Sequence, residues 1–431
     1  MNSNNVKIYI ISVLLCIIAS NPITEIGYRI DFSVIPNNNL FIHHLISSIC
    51  LGVDPQCLNI TLSFQTYFSW ICSGKHSVYN KTNSITYKEL NATTVISAMN
   101  KVYSAHKVQD VLTTQYNKEA IVKFGTIDEV DCDVNQGEIG LNVKDLILST
   151  RSNESIIEQL RNKSIIDDEI LSIRYINKTN GYVIFGDLYS EYDEMKYLEI
   201  STSSYSIVTS GRFVESVSFY MKKQTNRWNK YNSLLTYEVN RRLLLDFSSN
   251  FITVPEKIFI RLKDDVFRSF ITTKMCSLTN TTNNDTIYII CDKKVFPMMR
   301  IDTIAINLGR TSKIEFNVKQ TFVKEKDKFI CGIVTKKNHS YISLGDVYLR
   351  KYIVLFDMKR KTFRLYPKDS VNAHYGYLIF GMILLFIFAM GLLIYLGNII
   401  EEVFFKRRKK YKQASGRKSS IQLIEKNKFD E

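Results

Sequence analysis

The sequence predicts a mostly-β ectodomain of two lobes carried on one C-terminal transmembrane helix. Three observations predict it. Between residues 21 and 370 the chain is a succession of short runs rich in Val, Ile, Tyr and Phe, punctuated by Asn, Gly and Ser clusters. That region is long enough for two domains of ordinary size. Near the other end, "YLIFGMILLFIFAMGLLIYLGNII" (377–400) contains no charged residue and is long enough to cross a hydrocarbon core.

Taken in order, residues 1–7 are polar with one lysine, and 8–19, "IYIISVLLCIIA", are apolar but too short to span a bilayer. That layout predicts a signal peptide over 1–20, cleaved near Ala19 or Ser20. The strand-like runs are "CLNITLSF" (57–64), "YVIFGD" (182–187), "RLLLDF" (242–247), "IAINL" (304–308), "KYIVLFDM" (351–358) and "KTFRLYP" (361–367). Helical signals are sparse. The best is 256–272, "EKIFIRLKDDVFRSFIT", with a Pro–Glu start and apolar residues at helical spacing. A transmembrane helix is expected over 375–400, followed by a basic cytosolic tail, 401–431, of the kind retained inside. The expected arrangement is a single-pass type I membrane protein of the secretory pathway, its bulk lumenal or extracellular.

The tail has ten Lys/Arg against five Asp/Glu, so it holds +5 of the formal +14. It is suited to anionic lipid headgroups, with a merely solvated charge run as the alternative. The remaining charge is spread without a compact basic cluster, which argues against nucleic acid as a partner. After Cys16 leaves with the signal, seven cysteines remain: Cys50, Cys57, Cys72, Cys132, Cys276, Cys291 and Cys331. They lack zinc-site spacing, and an oxidising compartment favours disulfides. The odd count leaves one unpaired or bonded to another chain. Glycosylation sequons occur at Asn59, Asn80, Asn91, Asn153, Asn162, Asn177, Asn280, Asn284 and Asn338, all before the span. The six histidines lack metal-ligand spacing, and Gly-rich phosphate loops and Gly-X-Ser-X-Gly elbows are absent, so neither cofactor nor metal is expected.

One stretch asks for chemistry. In "LLLDFSSNFITVP" (243–255) a single carboxylate, Asp246, sits among leucines at the end of an apolar run. A buried acid is costly unless something uses or satisfies it.

"YISLGDVYLRKYIVLFDMKRKTFRLYP" (341–367) resembles the C-terminal end of a pepsin-like aspartic peptidase, without a gap. "YIICDKKVFPMMRIDTIAINLG" (288–309) resembles the same lobe's cysteine-bearing stretch, and "FICGI" (329–333) its usual disulfide partner. "GYVIFGDLYSEYDEMKYLEI" (181–200) is similar to the segment near the lobe junction, and "GEIGL" (137–141) to the glycine-framed turn of the first lobe. The resemblance implies a bilobal pepsin-like aspartic protease fold, with an N-terminal lobe over 21–211, a C-terminal lobe over 212–370, and a Cys291–Cys331 disulfide.

The family's enzymes need two Asp-Thr-Gly loops whose aspartates share a proton, because like charges so close cannot both ionise. "LLLDFSSNFITVP" resembles the second loop. Asp246 takes the catalytic slot, Phe247 the threonine slot and Ser248 the glycine slot. The approach to the first loop resembles "CLGVDPQ" (50–56), and the tryptophan after it is Trp70. An ungapped register between these anchors puts Ser63 in the aspartate slot and Phe64 in the threonine slot. A gapped register, "QTYFSW", puts Gln65 at the aspartate instead. Neither supplies a carboxylate. Counting from Tyr87 in "YNKTNSITYKEL" places Ala98 where the family has its flap tyrosine.

These readings imply a catalytically inactive, membrane-anchored module whose cleft, lined by Phe64, Phe247, Ser248, Ala98 and Trp70, holds a polypeptide ligand or protein partner or serves as scaffold. Ser63 and Asp246 are expected within direct or water-bridged hydrogen-bond reach. Phe64 and Phe247 either replace the threonine brace by aromatic packing or are unrelated changes in a drifting site. The alternative function is an active membrane-bound aspartic endopeptidase of the secretory or endolysosomal pathway, with an acid such as Asp54 serving.

Overall fold

Alternation of side chains makes the first strand. In Tyr28–Pro36 the residues Tyr28, Ile30, Phe32 and Val34 are buried, while Ser33, Ile35 and Pro36 face solvent, the period of two that a strand with one covered face requires. The computed structural model describes residues 381–408 and, apart from short stretches (the longest 143–153, 187–195 and 222–231), residues 27–368. The expected signal peptide, the tail beyond 408 and the sequons Asn153 and Asn284 lie outside the described residues.

The apolar core of each run singled out in the sequence lies in a strand, respectively Gln56–Ser63, Asn180–Phe185, Asn232–Leu245, Ile301–Leu308, Tyr352–Asp357 and Thr362–Pro367. The protein is mostly β. One antiparallel succession runs His43–Leu51, Tyr28–Pro36, Asn180–Phe185, Ile170–Tyr175, Tyr352–Asp357, Thr362–Pro367 and Leu198–Ser203. The last hairpin is therefore hydrogen-bonded into the sheet that holds the first strand. A second succession pairs Asn232–Leu245, Ser206–Met221, Ile301–Leu308 and Ser312–Asn317. A third contains Cys276–Asn280, Thr286–Asp292, Lys328–Ile330 and Val323–Glu325. Buried side chains from Tyr28 to Leu365 form one contiguous cluster beneath these sheets.

The expected amphipathic helix forms over Glu256–Thr272, two α-helical segments joined by a π turn at Lys263–Phe267. Pro255 caps it without a donor to lose, and Ile258, Phe259, Leu262 and Phe267 are its buried face.

Residues from 369 onward form a separate unit, in which Gly381–Arg408 is one helix of 28 residues. Its most apolar window has a mean hydropathy of 2.5, and it is long and apolar enough to cross a membrane. The helix continues past 400, the expected limit, to Arg408. A Glu402–Lys406 pair at 2.7 Å, four residues apart, suits helical continuation into the basic block.

Candidate functional site

Two parallel strand pairs build the floor of the site. Gln56–Ser63 runs beside Gly137–Gly140, and the ladder ends at Ser63 opposite Gly140. Asn232–Leu245 runs beside Ile342–Leu344, ending at Leu245 opposite Leu344, with Asp246 N–H donating to Leu344 O at 3.0 Å. The next residues in that second pair are Asp246 and Gly345, so Ser63 and Asp246 stand at matching points, each beside a glycine. Both glycines press on the loop that follows. A Cβ on Gly140 would lie 2.6 Å from the Tyr67 carbonyl carbon, and one on Gly345 only 2.2 Å from Phe251 O. No side chain larger than hydrogen fits either place without moving backbone.

Phe64 and Phe247, the residues that follow Ser63 and Asp246, are buried and stack with centroids 4.3 Å apart and planes 25° from parallel. Phe356, from the last hairpin, packs against both at 5.8 and 6.2 Å. Three rings from three distant parts of the chain thus fill the centre of the floor.

The polar groups are satisfied locally. Asp246 Oδ1 accepts from Ser248 N at 3.1 Å and from Ser248 Oγ at 2.6 Å. Ser63 Oγ accepts from Gln65 N at 3.3 Å. No direct hydrogen bond joins Ser63 to Asp246; each loop turns its own backbone and side chains onto its first residue. Gln65 is exposed and lies two residues beyond the end of the ladder. Trp70 is fully buried in a satellite core with Phe68, Ile96 and Ile127, so it packs the wall and presents no surface to a ligand. Ala98 ends the strand Lys88–Ala98, opposite Lys101 across a hairpin whose tip residues lie outside the described ones.

The surroundings of Asp246 bring in residues that sequence reasoning passed over. The segment Phe41–His43 reaches across from the first strands: His43 N donates to Ser248 O at 3.0 Å, and Asn250 N to Phe41 O at 3.2 Å. His43 is buried, with Nε2 3.9 Å from Asp346 Oδ2, and Asp346 in turn pairs with Arg350 one helical turn on. Burial pushes the His43 imidazole below its ordinary value; Asp346 opposes that, Arg350 adds to it, and Asp246 opposes it weakly. His339 hydrogen-bonds Ser343 Oγ at 3.0 Å and is likewise lowered by burial and by Lys336, against the pull of Asp246. Two imidazoles therefore share the field of Asp246. No local spacing announces this, because residues 43, 246, 339 and 346 meet only through the fold.

Three disulfides form among the described residues: Cys50–Cys57, Cys72–Cys132 and Cys276–Cys291. The expected Cys291–Cys331 pairing is incorrect. Cys276 and Cys291 face each other directly across an antiparallel pair, Cα atoms 4.0 Å apart. On the other side Cys291 faces Phe329, while Cys331 N donates to Ile289 O at 2.9 Å, two residues out of register. Cys331 is the unpaired thiol that the odd count required, buried and pushed up to about 12 by desolvation. The described sequon asparagines, Asn59, Asn80, Asn91, Asn162, Asn177, Asn280 and Asn338, are all exposed.

The family model for eukaryotic aspartyl proteases matches residues 61–367, from two residues before Ser63 to the end of the last hairpin. No curated protein matches the chain. A match over most of the chain, on a mostly-β fold with paired strand–glycine loops, carries the conclusion that this chain belongs to the eukaryotic aspartyl protease family.

Proposed function

We propose that the chain is a catalytically inactive pepsin-like module, held on a membrane by its C-terminal helix, whose cleft binds an extended polypeptide without cutting it. The observation that carries this reading is the floor itself: a hydroxyl, Ser63, at the point that matches Asp246, with the Phe64–Phe247 stack between the two loops. Peptide hydrolysis by this family requires one carboxylate to take a proton from water while the other supplies a proton to the carbonyl. A serine hydroxyl, bound to its own loop, can do neither at acid pH. Acid–base catalysis by positioned groups is typically worth about 10²–10⁴-fold, and the acid half of it has no matching residue here.

The phenylalanines are the brace of this floor. Where threonine hydroxyls would be hydrogen-bonded across the lobe interface, two stacked rings exclude water. Holding an extended strand by main-chain hydrogen bonds is a recognition mode that needs no catalysis. The pairing partners change between Ser203 and Ser206, a few residues before the lobe division proposed at 211/212. Three disulfides and exposed sequons support a lumenal or extracellular side for the globular part, and the basic tail supports type I orientation and contact with anionic lipid.

The experiment uses full-length protein in detergent and a fluorescent library of extended peptides, with anisotropy for binding and mass spectrometry of what is recovered. Binding with every peptide returned intact between about pH 3 and 6, the range in which a carboxylate dyad shares its proton, is the expected result. Recovered fragments would overturn it.

A further inference from the structure

Away from the floor, the first half of the chain holds a cavity of about 340 Å³ whose lining includes Asn80, Thr82, Tyr87, Glu89, His106 and Asp128. We propose that this cavity receives the first sugars of an N-linked glycan carried by Asn80, one of its own wall residues. The proposal rests on the secretory placement above and not on the loss of catalysis.

Four observations carry it. Asn80-Lys81-Thr82 is a sequon, and it caps a single 3-10 turn in which Asn80 Oδ1 accepts from Thr82 N at 3.1 Å and Thr82 Oγ1 at 2.7 Å. That leaves Nδ2, the atom that is glycosylated, without a hydrogen bond on an exposed side chain. The backbone of Asn80 is fixed at both ends by Gln56, whose Oε1 accepts from Asn80 N at 2.6 Å and whose Nε2 donates to Asn80 O at 3.0 Å. The direction of the attachment point is therefore set by the fold. Of the described sequon asparagines, Asn80 alone lines this cavity.

The cavity has saccharide chemistry. Two carboxylates, an imidazole and hydroxyls converge on it, beside the ring of Tyr87. Carboxylates form the stronger, charge-assisted bonds to hydroxyl donors, and an aromatic face covers the apolar side of a pyranose. The rear wall is preorganised: Tyr79, which also lines the cavity, donates to buried Asp110 at 2.7 Å, and the same carboxylate accepts from Ser84 Oγ at 2.9 Å, Thr86 Oγ1 at 2.5 Å and Val111 N at 2.8 Å. The volume sits at the low end of ligand pockets, roughly 300–1,000 Å³, so it suits about one or two sugar rings and not a larger ligand. A tethered occupant also needs little intrinsic affinity, because a short link raises its effective concentration to about millimolar.

The attachment chemistry is ordinary group transfer. Asn80 Nδ2 forms a bond to the anomeric carbon of a lipid-pyrophosphate oligosaccharide, the bond from that carbon to the pyrophosphate oxygen breaks, the nitrogen loses a proton, and lipid pyrophosphate leaves. The consequence for the fold is a strut. Glu89 and His106 belong to the two strands of the hairpin that ends at Ala98, Asp128 follows the strand Glu119–Ile127, and Asn80 precedes them all. Seated sugars would hold the base of that hairpin against its neighbours.

The test takes the full chain purified from eukaryotic cells and follows release of each glycan by an amidase that cleaves the Asn–sugar bond, with glycopeptide mass spectrometry, in native and in denatured protein. Asn80 should be occupied, and its glycan should leave native protein about tenfold or more slowly than that on exposed Asn177, the factor of a 1.4 kcal/mol difference. The two rates should converge after denaturation. Tyr87→Ala, and separately the pair Glu89→Gln with Asp128→Asn, should speed native release at Asn80 but not at Asn177, with circular dichroism unchanged. An unoccupied Asn80 beside occupied neighbours, or equal native rates, would overturn the cavity proposal alone. Absence of glycan from every sequon would overturn it together with the secretory placement.

Discussion

Phe64 lies one residue and Phe247 two residues past the end of a strand, and the two buried rings stack on each other. Phe247→Ala should cost about 3–5 kcal/mol, the range for deleting a buried ring. A double-mutant cycle with Phe64→Ala should show about 0.5–1.5 kcal/mol of coupling. Urea denaturation measures both, and coupling near zero would mean that the stack is not a brace. His43 gives a second prediction at this scale. Its folded-state value is lowered from 6.5 by burial, so the unfolded chain takes up the proton first. Stability is therefore fully present above that value and is lost as pH falls below it, until the folded-state value is reached. Melting temperature should drop between pH 7.5 and 5.5, and His43→Gln should remove part of the slope, His339 supplying more of it. Parallel profiles for the two proteins would exclude His43. Asp246, Ser63 and the paired phenylalanines were legible by counting from motif anchors. His43 and His339 were not, because they meet Asp246 only through the fold and not through any spacing in the sequence.

At the scale of elements, the hairpin Cys276–Asn280/Thr286–Asp292 shows what counting cannot supply. Its two cysteines are cross-strand partners only once the register is known, and a resemblance to the family's usual pairing pointed to Cys331 instead. With a separation of 15 residues, the Cys276–Cys291 bridge should contribute about 3 kcal/mol by loop-closure entropy. Cys276→Ala and Cys291→Ala should each lose about that much, whereas Cys331→Ala should cost no more than about 1.5 kcal/mol. Non-reducing peptide mapping decides the pairing directly: a Cys291–Cys331 linked peptide would contradict the register. Local signals did serve where they were strong. The helix at 256–272 follows from Pro255 and its apolar spacing, and the strands from runs of branched and aromatic residues.

For the whole molecule, the informative feature is that Tyr352–Asp357 and Thr362–Pro367 complete the sheet begun by Tyr28–Pro36. The last strands before the apolar C-terminal helix are pinned to the first, and Phe356 carries that sheet's packing into the floor. No local pattern in the sequence announces such long-range closure. The proposed type I orientation is tested with sealed microsomes: protease added outside should remove only the tail, and digestion of the globular part would reverse the orientation. The central claim, that the floor binds without catalysing, is tested most directly by peptidase assay. Full-length protein should leave unfolded substrate uncut between about pH 3 and 6, the range in which a carboxylate dyad shares its proton, with or without pepstatin. Pepstatin-sensitive cleavage that Asp246→Ala abolishes would contradict it.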